Sequence, residues 1–169
     1  MNKLLVVIDM QNDFVTGVLG TKEAQAIVKP MAEYIKNFDG DIYATQDTHT
    51  DTYKFTQEGQ KLPVPHCIFA TEGWNIVPEI AAVMKDVRIF NKPTFGSVDL
   101  AKRIQDYRYD EIYFCGVCTG ICVISNVLMV KAFCPEVPIK VIENLCACVT
   151  PESHKTAIEA MKMCQVDVV

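Results

Sequence analysis

A three-layer α/β domain with a mostly parallel sheet is the fold class that the sequence predicts, and three observations predict it. Short β-branched apolar runs recur along the chain. Longer segments with helical periodicity separate them, and the first apolar run is too uniform to leave a solvated face. About six strands alternating with helices require helical crossovers packed on both faces of the sheet.

The first run, Lys3–Asp9 (KLLVVID), has the pattern of a strand buried on both sides. Lys22–Phe38 places Ala26, Ile27, Met31, Tyr34, Ile35 and Phe38 at helical spacing, with Pro30 expected to kink the helix. Asp41–Gln46 (DIYATQ) reads as the second strand. Asp47–Val77 then runs for about thirty residues without sustained periodicity, a length that usually marks a functional loop. A short helix over Pro78–Met84, a strand over Val87–Asn91, a helix over Val98–Tyr107 and a strand over Glu111–Gly116 follow. Gly120–Phe133 is helical and apolar on nearly every face, which predicts a central position or a subunit contact, and hence a homo-oligomer, a dimer or larger. Ile139–Glu143 is a strand, Thr150-Pro151 caps and opens the last helix, and Val166–Val169 closes the sheet.

The 169 residues suit one domain spanning 1–169, and 50% hydrophobic with 22% charged residues excludes a disordered chain. A net charge of −5 speaks against nucleic acid or an anionic membrane as partner, since both need a basic footprint. The longest early apolar run, Leu4–Ile8, is too short for a signal peptide or a membrane span, so a cytoplasmic protein is expected. The 8 cysteines mostly lie in apolar stretches, which fits free thiols in a reducing compartment.

Ligands of such sheets bind beyond the carboxyl ends of the strands, so the residues there carry the functional reading. Asp9 ends the first strand, where poor solvation raises a carboxyl pKa and suits it to proton transfer, although a simple turn residue has the same pattern. Asp47 and His49 follow the second strand, Lys92 the third, and Cys118 and Cys122 the fourth. A carboxylate, an amine and a thiol meeting in one cleft are what a thiol nucleophile with a base requires. With Thr119 as helix cap, Cys122 falls in the first turn, where free amides and the helix dipole favour a thiolate; the alternative is a thiol packed under the helix. Of the three histidines, His49 in D-T-H and His66 in P-V-P-H-C could join Asp47 as an O,N,N metal set, or simply be exposed loop residues. His154, in TPESH, reads as a solvated residue on the last helix.

Three separated motifs, D-x-Q-N-D-F after the first strand, K-x-x-F after the third and G-V-x-T-x-x-C-V after the fourth, resemble the isochorismatase-like cysteine hydrolase superfamily, in its nicotinamidase-related branch. The likeness runs from Lys3 to Val169. It implies a Rossmann-like α/β/α fold with a six-stranded parallel sheet in the order 3-2-1-4-5-6. It places Asp9, Lys92 and Cys122 on the family's catalytic triad, Val117–Cys118 on its non-proline cis peptide, and the amides of Cys118 and Cys122 on its oxyanion hole. It also places Asp47, His49 and His66 on the metal ligands of the nicotinamidase branch, with Glu58 a further candidate. The expected ion is divalent, zinc before iron or manganese, with no organic cofactor. Phe14, Phe95 and Trp74 are the expected pocket walls, because Pro63 stands where nicotinamidases often carry an aromatic residue.

The implied reaction is hydrolysis of a small amide, nicotinamide first, with N-carbamoyl and ureidoacrylate-type amides second. Isochorismate hydrolysis ranks below these, because relatives that cleave that vinyl ether typically lack the cysteine. A thiol-redox or zinc module on Cys115-x-x-Cys118 and Cys146-x-Cys148, and a non-catalytic binding protein, are the readings from other classes.

Overall fold

The computed structural model describes every residue, Met1–Val169. Six strands, β1 (Lys3–Ile8), β2 (Asp41–Asp47), β3 (Arg88–Lys92), β4 (Glu111–Val117), β5 (Ile139–Ala147) and β6 (Asp167–Val168), form one parallel sheet in the order β3-β2-β1-β4-β5-β6. The helices are α1 (Asn12–Val15), α2 (Lys22–Asn37), α3 (Gln57–Lys61), α4 (Pro78–Ala81), α5 (Val98–Tyr107), α6 (Ile124–Phe133) and α7 (Pro151–Met163). No helix is long and apolar enough to cross a membrane.

Strand alternation in β1 divides the core. Leu4, Val6 and Ile8 face a layer that includes Leu100 and Ile104 of α5, Val127 and Val130 of α6, and Ile158 of α7. Leu5 and Val7 face Ile27, Met31 and Ile35 of α2 and Ile80 of α4. Each such buried side chain contributes roughly 1.5–3 kcal/mol of transfer free energy, and β1, apolar on both faces, binds the two halves.

The helices begin where their capping residues stand. Thr21 accepts from the Ala24 amide, Ser97 from Leu100, and Thr150 exchanges hydrogen bonds with Ser153 in a capping box ahead of Pro151. α2 carries Pro30 in its interior without ending there.

Three local differences from the sequence reading have physical causes. β5 runs on to Ala147, because its exposed Glu143 and Asn144 sit at an irregularity opposite Phe114–Gly116, after which pairing with β4 resumes. The long loop holds a 3-10 turn at Tyr53–Phe55 and α3, which Thr56 caps and which has no apolar periodicity to betray it. The helix expected from Gly120 opens instead as a wide π turn, Thr119–Val123, with Cys118 and not Thr119 as its N-cap. The Cys118 carbonyl takes the amides of Ile121 (3.0 Å) and Val123 (3.1 Å), and the Thr119 hydroxyl is engaged elsewhere, by His154 Nδ1 at 2.7 Å.

Strand register sets the rim of the sheet. Asp47 lies opposite Lys92, and Ile8 lies between Thr45 and Gly116. The side chains that follow these positions therefore stand at one level. Gly116 has φ 123°, and a Cβ there would come to 2.2 Å from the Ile8 carbonyl oxygen, so this position admits no larger residue without moving β1. Gly116→Ala should destabilise the protein by about 3 kcal/mol or more through strain and overpacking, measured by urea unfolding.

Candidate active site and metal centre

β1, β2, β3 and β4 deliver four polar groups to the switch point between β1 and β4. Asp9 leaves β1 with a left-handed φ of 49°, a conformation that aspartate tolerates better than most residues. Its amide bonds the Thr45 carbonyl and hydroxyl, and the Thr45 hydroxyl donates to Asp9 Oδ1 at 2.6 Å. The Lys92 ammonium lies 2.6 Å from Asp9 Oδ2, 3.5 Å from Cys122 Sγ and 3.7 Å from Asp47 Oδ1. All four residues are buried. The Val117–Cys118 peptide is cis.

Burial governs the protonation states here. It pushes the Asp9 carboxyl up against the opposing pull of Lys92. Burial also opposes charge on Lys92, but the carboxylates of Asp9 and Asp47 more than compensate and hold its ammonium protonated. Cys122 departs from expectation. Burial and the Asp9 charge push its thiol well above the ordinary range, with Lys92 only partly opposing them. Its resting form is the thiol, so the helix-dipole argument for a standing thiolate is overruled by desolvation.

Beside this cluster, Asp47, His49, Glu58 and His66 bring one donor atom each to within 4.8 Å of one another. Asp47 Oδ2 is 2.8 Å from His49 Nε2 and 3.4 Å from His66 Nε2, and Glu58 Oε1 is 3.6 Å from both rings. His66 Nδ1 lies 2.8 Å from the Val64 carbonyl, which can only accept, so that nitrogen carries the proton. A neutral His66 then aims the Nε2 lone pair at two carboxylates. Asp47 Oδ1 is buried without a hydrogen bond. Lone pairs converging from two imidazoles and two carboxylates fit a divalent cation better than they fit one another. Tyr53 braces both rings, with centroids 4.8 Å from His49 and 5.0 Å from His66.

Both clusters open on one cavity of about 710 Å³, whose lining includes Phe14, Phe95, His49, His66, Cys118 and Cys122. Trp74, expected as a wall, does not line it. Its indole donates to the Thr48 hydroxyl at 2.9 Å and meets the Phe69 ring edge-on, which turns it away from the cavity. His154 is not simply solvated, since its bond to Thr119 ties α7 to the turn that carries Cys122.

Sequence reasoning passed over Gln11 and Asp13. The Gln11 side chain accepts from the Asp47 amide at 2.8 Å and donates to the carbonyls of Asp47 and Trp74, fastening the long loop to β2. Asp13 accepts from the Cys67 amide at 2.8 Å, beside His66. Both stand in the Q-N-D part of the first motif, which was their only signal.

The fold and the site define a class, a doubly wound α/β protein with a buried thiol, ammonium and carboxylate at its switch point. Residues 3–169 match the family profile described as Isochorismatase domain, and the chain belongs to that family. It is 27% identical to a nicotinamidase of Saccharomyces cerevisiae, over 72% of this chain and 77% of that protein. Among solved structures it is similar to a pyrazinamidase/nicotinamidase from Streptococcus mutans, with 28% identity and a TM-score of 0.86 over 99% of this chain and 100% of that one. It is similar also to a pyrazinamidase of Pyrococcus horikoshii in complex with zinc, with 26% identity and a TM-score of 0.84 over 100% and 99% of the two chains.

In metal-free protein the His66 pKa is raised, because its bonds to Asp47 and Val64 outweigh the burial that opposes them. The stability carried by that raised value is present in full below the ordinary histidine pKa of about 6.5 and is lost as pH climbs through the raised value. After chelator treatment, the wild type should therefore exceed His66→Ala in unfolding free energy by more at mildly acidic pH than at alkaline pH, as read by urea denaturation.

Proposed function

We propose that the protein is a cysteine-dependent amidohydrolase of small amides, converting nicotinamide to nicotinate and ammonia through a thioester on Cys122. The observation that carries this reading is the position of Lys92 Nζ, 2.6 Å from Asp9 and 3.5 Å from Cys122 at the edge of a cavity that also reaches the metal donors.

Asp9 takes the Cys122 proton as the sulfur attacks the amide carbonyl. Its raised pKa suits it to hold that proton and return it to the leaving amine. Lys92 keeps its charge throughout, so each proton transfer occurs beside a fixed positive group. The amides of Cys118 and Cys122 are assigned to the developing oxyanion. Water then enters, gives its proton to Asp9, and releases the acid from the thioester.

Asp47, His49 and His66, with Glu58, would hold a divalent ion. Nitrogen and oxygen donors in this number favour zinc, and the similar Pyrococcus horikoshii protein was crystallised with that metal. Bound there, the ion supplies a Lewis-acid site for the ring nitrogen of a pyridine carboxamide.

Cys122→Ala should lose about three orders of magnitude or more in ammonia release while keeping its circular dichroism spectrum. Asp9→Asn should be inactive at every pH. A wild-type-like rate in either variant overturns the assignment. Chelation should suppress hydrolysis of nicotinamide more than of benzamide, which lacks the ring nitrogen, and His66→Ala should reproduce that difference. Equal suppression of both substrates would count against nitrogen ligation.

A further inference from the structure

Two sulfurs beside Cys122 have no part in the chemistry above. Each is the last cysteine of a motif that the function leaves unused, Cys115-x-x-Cys118 and Cys146-x-Cys148. The inner members of both motifs are sealed in the core on opposite sides of the sheet, Cys115 among the α2 layer and Cys146 among the α5–α7 layer. The outer members line the Cys122 cavity instead, Cys118 partly exposed and Cys148 buried in its wall. Gly116 pairs with Cys146 and Val117 with Ala147, so Cys118 and Cys148 are the next neighbours across the rim. Adjacent strands lie about 4.8 Å apart, within the Cα separation of roughly 4.4–6.8 Å that a disulfide spans. Both residues line the Cys122 cavity, so a small solute reaches them by the route open to a substrate.

The surroundings of the two sulfurs differ. Cys148 is lodged between the Thr119–Val123 turn and the start of α7, and a Cβ on Gly120 would come to 3.4 Å from its sulfur. The neighbouring Cys118 thiol above all, with the Ser153 hydroxyl and the amides of Gly120 and Val149, draws Cys148 down to about 5 against the effect of burial. The same contact with Cys148, with burial added, pushes Cys118 far up. The contact thus lowers one thiol and raises its neighbour, the division of labour between an attacking and a resolving cysteine.

We propose that Cys118 and Cys148 form a peroxide-reactive dithiol site in the wall of the cavity, with Cys148 attacking and Cys118 resolving. The Cys148 thiolate attacks one oxygen of a hydroperoxide. The O–O bond breaks, hydroxide (or alkoxide) leaves and takes up a proton, and the sulfur becomes a sulfenic acid. The Cys118 sulfur then attacks that sulfur. An S–S bond forms, the S–O bond breaks, and the departing hydroxide leaves as water with the Cys118 proton. Two thiols are oxidised by two electrons and one peroxide is reduced. The bridge joins the end of β4 to the end of β5 next to the turn that carries Cys122.

The test uses the whole protein and hydrogen peroxide, with mass rather than turnover as the readout, so it stands or falls apart from the amidase reading. Mild peroxide at weakly acidic pH should lower the intact mass by two hydrogens and the free thiols from 8 by two, both restored by dithiothreitol. Fragment sequencing should place the link between Cys118 and Cys148. Cys118→Ser should stop at a sulfenic acid that dimedone traps on Cys148, and Cys148→Ser should form no link. A bridge to Cys122, or dimedone capture at another cysteine in the Cys118→Ser protein, overturns the proposal. Limited iodoacetamide labelling of the wild type at the same pH gives an answer independent of any variant's folding. Cys148 should be alkylated first, and prior labelling of any other cysteine overturns its assignment as the thiolate.

Discussion

Lys92 is 1% exposed, and an ammonium taken that far from water is tolerated only where negative charge surrounds it. Asp9 at 2.6 Å supplies most of that charge, with Asp47 beyond it, and the Cys122 sulfur lies 3.5 Å away on another side. These groups come from the ends of β1, β2 and β3 and from the turn after β4. The four segments must therefore finish at one level, and the register that pairs Asp47 with Lys92 and Ile8 with Gly116 meets that demand. Removing one member of a buried pair leaves the other uncompensated, which typically costs about 3–5 kcal/mol. The same contact thus serves the fold and the proposed chemistry.

Asp47 joins the two halves of the site. Its Oδ1 faces Lys92 and its Oδ2 faces His49 and His66, while Gln11 holds its backbone from both sides. The hydrogen bonds to both histidines and the Lys92 charge overcome its burial and keep its carboxyl well below the usual range. The group remains an anion between a fixed cation and a converging set of imidazole and carboxylate donors. Its position explains why the loop after β2, which carries Glu58 and His66, has to be fastened as firmly as a strand. Gln11, Asp13 and the Trp74–Thr48 contact do that fastening.

Much of this arrangement was legible in the chain. β1 announces itself because a strand covered on both faces has no polar position between Leu4 and Ile8, and the helical segments announce themselves by their spacing and their Thr and Ser caps. Asp9, Asp47, Lys92 and Cys122 could be located because a polar residue after an apolar strand stands out, and topology says which end of the sheet matters. The loop residues were harder. α3 has no periodicity, and nothing in Trp74's neighbours along the chain says that Thr48 and Phe69 will hold its ring away from the cavity.

The sequence by itself determined the alternation of strands and helices, the crossovers, and the presence of a thiol, an amine and carboxylates at strand ends. These are properties of local pattern and connectivity. Tertiary structure decided how those groups are charged and paired, because protonation depends on burial and on neighbours distant in the chain. Desolvation keeps Cys122 a thiol, where its place in the turn alone suggests a thiolate. Parallel pairing of β4 with β5 sets Cys118 beside Cys148, thirty positions apart, where spacing alone coupled each to a cysteine now sealed in the core. Sequence spacing counts residues along one strand, and the sheet brings residues together across strands.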